Sequence, residues 1–91
     1  MDTTTFEHQL KLDGYAVNTV SRKANEFVDT HTHTFEAKAL ILSGQININV
    51  NGKDTLYPPG SVFHLMAGTP HTEQYGPEGV TYLVGRKEMA T

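Results

Sequence analysis

Residues 45–52 of this chain read Gln-Ile-Asn-Ile-Asn-Val-Asn-Gly. Polar and apolar side chains alternate through residues 45–50, which is the pattern of a strand with one buried face. Asn51 and Gly52 follow at once, and this dipeptide is the strongest short-range signal for a tight β-hairpin. The stretch therefore predicts a half-buried strand that turns directly into a partner strand near residues 54–57.

Further short segments of strand-like composition lie on both sides of this hairpin, separated by turns rich in glycine and proline. The turns are expected at residues 58–60, 67–70 and 76–79. Strands at such close and regular spacing predict an all-β sandwich or barrel. The further strands are expected over residues 15–20, from near His31, and over 61–66, 71–75 and 80–84.

The N-terminal segment has the pattern of a short helix instead. Thr4 and Glu7 have the spacing of a capping box, and Phe6 and Leu10 follow at a helical interval. The expected helix covers roughly residues 5–12 and packs outside the sheet. The predicted organisation is an N-terminal extension over residues 1–14, followed by a barrel domain over residues 15–91.

Composition excludes several classes of protein. The chain has 91 residues, no cysteine and a formal net charge of -3, so we expect one domain without disulfides or thiolate metal ligands. Its basic residues form no cluster, which argues against nucleic-acid binding. The longest apolar run, residues 39–42, is too short to span a membrane. The acidic, polar N-terminus does not resemble a signal peptide, so we expect a cytoplasmic location.

Three histidines form the most informative chemical pattern. His31 and His33 are two residues apart, and on a strand such residues point to the same face. Two imidazoles placed in this way can converge on one metal ion, and His71, on a separate strand, can supply a third ligand. Such a set leaves coordination positions of the metal open, as expected of a site whose metal also binds a ligand from outside the protein.

These residues resemble the two sequence motifs of the cupin superfamily. The first, G-x5-H-x-H-x3-4-E-x6-G, falls on His31 and His33 and ends at Gly44; the second, G-x5-P-x-G-x2-H-x3-N, falls on Gly60, Gly68 and His71. The resemblance implies a single-domain cupin, which is a double-stranded β-helix or jelly-roll barrel. It also implies that His31, His33 and His71 hold one divalent transition metal ion, in a three-histidine site.

The glutamate of the first motif is displaced in this chain. Its position falls on Ala37, and Glu36 lies one residue earlier. A shift of one residue turns a strand side chain to the opposite face, so Glu36 is a possible fourth ligand only if a bulge intervenes. Glu73 shares the face of His71 and is the other possible fourth ligand, or else a residue that lines the pocket.

The resemblance implies a metal-binding cupin that binds a small molecule at the barrel mouth, with dioxygenase-type chemistry if it is an enzyme. The metal is Fe, Mn, Ni, Cu or Zn, since all accept imidazole. The alternative is a non-catalytic module or sensor that binds a sugar or another metabolite. By alternation from the ligands, the candidates for substrate binding are Phe35, Ile41, Glu73 and Tyr75.

Other residues on the outward faces of the predicted strands indicate contacts outside the barrel. His64 is expected at the surface or at an interface, because its neighbours Phe63 and Leu65 share the opposite face. Leu40 and Leu42 face outward, and two leucines there indicate a covered surface. The cover is either the N-terminal helix or a second copy of the chain, and we expect a homodimer.

Overall fold

The computed structural model describes residues 2–88 and consists of one helix followed by six strands. Helix α1 spans Thr3–Leu12. The prediction of an all-β domain with a short N-terminal helix is confirmed. The strands are β1 (Ala16–Arg22), β2 (Phe27–His31), β3 (Phe35–Val50), β4 (Lys53–Tyr57), β5 (Val62–Leu65) and β6 (His71–Glu88).

Two long antiparallel strands, β3 and β6, organise the whole molecule because each runs through two layers. In the first layer β1 pairs with β6 from Val80 onward, β6 pairs with β3 as far as Gly44, and β3 pairs with β5. In the second layer β2 pairs with the start of β6, and β3 from Ile46 onward lies between β6 and β4. The two layers fold over a common core.

Irregular pairing lets β3 bend from one layer to the other. Ile41 and Ser43 pair with consecutive residues of β6, which leaves Leu42 as an extra residue, and a second irregularity follows at Gln45. Because side chains alternate along a strand, an extra residue changes which positions face inward. Accordingly, the β3 residues buried in the core between the layers are odd-numbered from Ala37 to Ile41 and even-numbered from Ile46.

A close approach of two backbones fixes the position of this bend. Gly44 has a φ of +70°, and a Cβ atom there would lie 2.1 Å from the carbonyl oxygen of Gly79. Side chains other than hydrogen are therefore excluded at Gly44 by both space and conformation.

The main core lies between the layers, and a smaller cluster lies under the helix. In the smaller cluster Phe6 and Leu10 of α1 pack on Leu40 of β3 and Leu83 of β6. Leu40 is therefore covered by the helix, which is one of the two covers expected from the sequence, while Leu42 is partly exposed. The main core consists of Ala37, Ala39, Ile41, Ile46, Ile48, Phe63, Tyr75, Val80, Tyr82 and Val84.

Several expected boundaries were wrong in detail. The helix begins at Thr3, and the side chain of Asp2, rather than that of Thr4, accepts the capping hydrogen bond from the Thr5 N–H. Strand β2 spans Phe27–His31, so it ends at His31, where a strand was expected to begin. Residues 76–79 were expected to be a turn between two strands, but they lie within β6 and face the irregular position at Gln45.

The division into residues 1–14 and 15–91 stays a prediction, and its first residue and last three residues lie outside the described range. Within residues 2–88, no helix is long and apolar enough to cross a membrane.

Candidate metal centre

Four side chains that can bind metal converge at one end of the space between the layers. They are His31, His33, His71 and Glu73, and one potential ligand atom from each lies within 4.8 Å of the others. His71 is almost fully buried, at 2% exposed, and the other three are half-buried. The structure thus brings together the three histidines expected from the sequence, with one of the two candidate carboxylates.

Strand pairing accounts for three members of this cluster. His31 is the last residue of β2 and pairs directly with His71, the first residue of β6. Their ring centroids are 4.3 Å apart. Glu73 lies two residues after His71 and so points to the same face.

His33 reaches the cluster by a different route from the one expected. It lies beyond the end of β2, so His31 and His33 are not successive inward positions of one regular strand. The ring of His33 stacks on the ring of Phe35, with 4.7 Å between the ring centroids. The backbone carbonyl of His33 accepts a hydrogen bond from the Gly68 N–H at 2.9 Å. Gly68 has a φ of +79°, which favours glycine at this position. The glycine of the second motif thereby holds a histidine of the first.

Hydrogen bonds to the backbone orient two of the imidazoles. His31 Nδ1 donates to the carbonyl oxygen of Asp29 at 2.8 Å, and His71 Nδ1 donates to that of Thr69 at 2.9 Å. A carbonyl oxygen only accepts, so the proton of each ring resides on Nδ1. In the neutral imidazole, Nε2 then carries a lone pair and is free to bind a metal.

Both Nε2 atoms face the same carboxylate oxygen. Glu73 Oε2 lies 3.1 Å from Nε2 of His31 and 3.1 Å from Nε2 of His71. Lone pairs directed at a carboxylate repel it unless protons or a cation lie between them. One divalent cation between these atoms would compensate the carboxylate and accept both lone pairs. Ligands about 2.1 Å from a common ion and at right angles to each other are about 3 Å apart, which fits these distances.

The remaining oxygen of Glu73 is bound by a tyrosine. Tyr75 Oη donates to Glu73 Oε1 at 3.0 Å. Burial, together with the charge and hydrogen bond of Glu73, raises the pKa of the Tyr75 hydroxyl, so this group keeps its proton at neutral pH. Burial, followed by the neighbouring His31 and His71, lowers the pKa of His33 and favours its neutral, metal-binding form.

A cavity of about 310 Å³ opens beside the cluster, which is the size expected for a small-molecule site. Of the four residues predicted to bind substrate, Phe35, Glu73 and Tyr75 line it. Ile41 lies on the same inner face but deeper, in the main core, and does not line the cavity. The lining residues are Arg22, Glu26, Val28, His31, His33, Phe35, Ala37, Phe63, Leu65, His71, Glu73, Tyr75, Tyr82, Val84 and Arg86.

Glu36, the other candidate fourth ligand, lies on the outer face of β3 and does not join the cluster. Its carboxylate accepts hydrogen bonds from Tyr15 Oη, at 2.5 Å, and from His64 Nε2. The pairing of β3 with β6 is regular from Phe35 to Ile41, so no bulge in this part of β3 turns Glu36 inward. His64 is exposed, as expected from the alternation of β5.

Two arginines of the cavity wall were missed by sequence reasoning. Arg22 is the last residue of β1, and Arg86 lies near the end of β6. The sequence held a signal for Arg86, because it continues the alternation of Tyr82 and Val84, but the expected strand stopped at residue 84. Arg22 lies beyond the strand expected over residues 15–20, so no face was assigned to it.

No protein-family model and no curated protein matches this sequence. Solved structures do match the fold. A cupin described as RmlC-like from Shewanella frigidimarina superposes with a TM-score of 0.68, at 15% identity over 80% of this chain and 65% of that one. The cupin domain of Cnp3 from Schizosaccharomyces pombe superposes with a TM-score of 0.72, at 19% identity over 82% of this chain and 56% of that one.

The chain has the cupin fold. A third structural neighbour is the DMSP lyase DddQ from Ruegeria pomeroyi, with a TM-score of 0.72 and 25% identity over 87% of this chain. This chain spans 41% of that enzyme's length, so the likeness concerns the barrel. The sequence motifs thus predicted the cupin fold correctly.

Proposed function

We propose that this cupin binds one divalent transition metal ion and, beside it, a small molecule at the barrel mouth. His31, His33 and His71 are the proposed nitrogen ligands, with Glu73 as the fourth ligand. The observation that carries the proposal is the pair of Nε2 atoms directed at one carboxylate oxygen while both Nδ1 atoms are bound to carbonyl groups.

The donor set fits the metals that the sequence indicated. Three imidazoles and one carboxylate suit Fe, Mn, Ni, Cu or Zn, and they contain no soft sulfur ligand. A bound ion would supply Lewis acidity to a substrate oxygen and a template for its orientation. Around it, Tyr75 holds the carboxylate of Glu73, and its protonated hydroxyl serves as a donor rather than a base. The apolar part of the wall, which includes Phe35 and Phe63, excludes water from bound substrate.

We further propose that the protein is an enzyme, and two reaction classes are to be compared. Dioxygenase-type chemistry is the expectation from the motif resemblance. Lyase chemistry is suggested by the structural neighbours described as DMSP lyases. The cytoplasmic location and the homodimer remain predictions beside this proposal.

Metal analysis of purified protein tests the site directly. The protein is prepared without chelators, and its metal content is measured for the wild type, His33→Ala and His8→Ala. His8 lies on the exposed face of α1, so its variant is a matched control that also lacks one histidine. We expect about one equivalent of metal in the wild type and in His8→Ala, and clearly less than one equivalent in His33→Ala, because this variant lacks one of the proposed ligands.

The same preparations decide between the functional classes. Oxygen uptake with small diketones, thiols and phenols tests the dioxygenase, and product release from DMSP tests the lyase. Absence of metal in all preparations, even after each ion is added, would refute the metal site. Ligand binding that survives a strong chelator would then support the non-catalytic metabolite-binding module.

A further inference from the structure

Both arginines of the chain line the cavity beside the proposed metal site, and none of its five lysines does. A guanidinium group offers a planar fork of N–H donors that matches a carboxylate, whereas a lysine ammonium is a point charge. The arginines are thus placed at one internal surface, while the lysines lie elsewhere. This distribution indicates recognition of an anion in the cavity.

Arg86 is linked to the histidine cluster through an aromatic ring. Its guanidinium carbon lies 5.0 Å from the ring centroid of Phe35, and the same ring stacks on His33 at 4.7 Å. A guanidinium packed over a ring keeps its N–H groups directed outward in its own plane. Those groups are therefore available to a ligand that also reaches the metal site.

Arg22 approaches the same cavity from the exposed end of β1. It is solvent-exposed, in contrast to the half-buried Arg86. Within residues 2–88 every ion pair uses a lysine or a histidine as its cation, and neither arginine takes part in one. The charges of both arginines therefore remain uncompensated by a direct carboxylate partner in the described part of the chain.

The balance of charge in the cavity depends on the metal. The two arginines balance Glu26 and Glu73, which are the acidic residues of the wall. A divalent ion at the histidine cluster would then leave two positive charges in excess. Such an excess within a half-enclosed cavity attracts anions and disfavours cations.

We propose that the small molecule bound in this cavity is an organic carboxylate, whose carboxylate group is held by Arg86. Arg22, at the rim, attracts the anion as it enters. The inference rests on the proposed function, because the excess positive charge requires the metal ion. It adds to that function the chemical class of the substrate.

The two arginines also provide the means of testing this proposal. Since the chain has only two arginines, an NMR spectrum of the 15N-labelled protein contains at most two Arg Nε–H signals, and single substitutions assign them. Zinc-loaded protein, which is diamagnetic, is titrated with succinate, with its neutral diamide and with inorganic phosphate. We expect succinate to shift the Arg86 signal more than the Arg22 signal, and the diamide to shift neither.

Variants distinguish a contact in which the Arg86 guanidinium donates two hydrogen bonds to the carboxylate from attraction by positive charge alone. We expect Arg86→Gln to lose at least about tenfold in succinate affinity, and Arg86→Lys, which keeps the charge, to lose part of it. Arg22→Gln should lose less, and its effect should diminish at high salt because an exposed charge is screened. Lys23→Gln is the matched control: it removes an exposed charge next to Arg22 but outside the cavity, and should bind succinate as the wild type does.

The outcomes distinguish the substrate class from the metal site. Zinc content is measured in every sample. One equivalent of zinc with equal affinity for succinate and its diamide would overturn the carboxylate proposal and leave the metal site intact, as would phosphate binding tighter than succinate. Absence of zinc, and of every other ion added in its place, would instead refute the proposed function. Equal losses in Arg86→Gln and Lys23→Gln would also overturn the role of Arg86.

Discussion

The hydroxyl of Tyr75 is expected to tune the proposed metal site without binding the metal itself. It donates to Glu73 Oε1, so removing it leaves that oxygen without its partner inside the cavity. Groups that orient metal ligands typically affect affinity by 10–100-fold. We therefore expect Tyr75→Phe to weaken zinc binding by about tenfold, measured by competition with a chromogenic chelator.

Tyr57→Phe is the control for this substitution. Tyr57 packs on Phe63 through its ring, and its hydroxyl has no part in the histidine cluster. It should bind zinc like the wild type. An equal loss in both variants would mean that the effect comes from the core rather than from the contact with Glu73.

Glu36 gives the outer face a dependence on pH. The hydrogen bond from Tyr15, followed by that from His64, lowers the pKa of Glu36 below its ordinary value of 4.5. Between the lowered and the ordinary value the unfolded chain binds more protons than the folded one. The stabilisation is thus present above about pH 4.5 and is lost as the pH falls through the folded pKa.

We expect urea unfolding to show this loss between about pH 6 and about pH 3. Glu36→Gln should be less stable than the wild type at the upper pH and should lose less stability on acidification. Glu78→Gln removes a carboxylate from an exposed position of β6 and should keep the wild-type acid dependence. A wild-type acid slope in Glu36→Gln would contradict the prediction.

At the scale of residues, motif spacing predicted the histidines but not how each one is held. Alternation placed Glu73 beside His71 correctly, because both lie in a regular part of β6. Alternation gave the correct face of Ile41 but not its depth, since depth depends on where the layers close. The position of His33 depends on Gly68, which is distant in sequence, so no local pattern specifies it.

Among the elements, the bend of β3 is expected to be the most sensitive point. Gly44→Ala would require a strained φ and would place its Cβ against the carbonyl of Gly79, where only backbone atoms can move. We expect a loss of about 3 kcal/mol or more in the free energy of unfolding, measured with urea.

Gly60→Ala separates the two causes. Gly60 also has a positive φ, of +87°, but nothing lies within 4 Å of its Cβ position. It should lose only the conformational cost, about 1–2 kcal/mol. If the two variants lost the same amount, the close approach of Gly44 to Gly79 would not contribute.

The sequence predicted regular elements more accurately than the connections between them. The hairpin at Asn51 and Gly52 was confirmed because its signal is local. Residues 76–79 contain the glycines and proline of a turn, and yet they stay within β6, because pairing with β1, β2 and β3 holds the chain on both sides. Such tertiary pairing overrides turn preference and cannot be read from the segment alone.

For the whole molecule, metal binding should raise stability, because the unfolded chain has no formed site. Binding at a free metal concentration about 100-fold above Kd adds about 2.7 kcal/mol. For a domain of this size, that corresponds to an increase of about 10 °C or more in Tm. Thermal unfolding of the wild type with and without zinc measures it. His33→Ala should show little change, and an equal shift in this variant would point to binding elsewhere.

The expected homodimer stays a prediction at this scale. Leu40, one of the two leucines that suggested a partner, is buried under α1 and requires no second copy. Which charges line the cavity was likewise not predictable, since Arg22 on β1 and Arg86 on β6 lie at opposite ends of the pairing between these strands and border one cavity only in the folded barrel. Local sequence patterns do not specify which distant strands pair, and therefore do not specify which side chains border the cavity.

Because β3 and β6 belong to both layers, the two layers should unfold together. Neither layer keeps its central strands if the other opens, so the barrel lacks a half that can unfold alone. In amide hydrogen exchange, protected amides of both layers should therefore open with one common free energy, whereas those of the peripheral helix exchange faster. A ligand bound near the histidines would then slow exchange in the distant layer by the same factor.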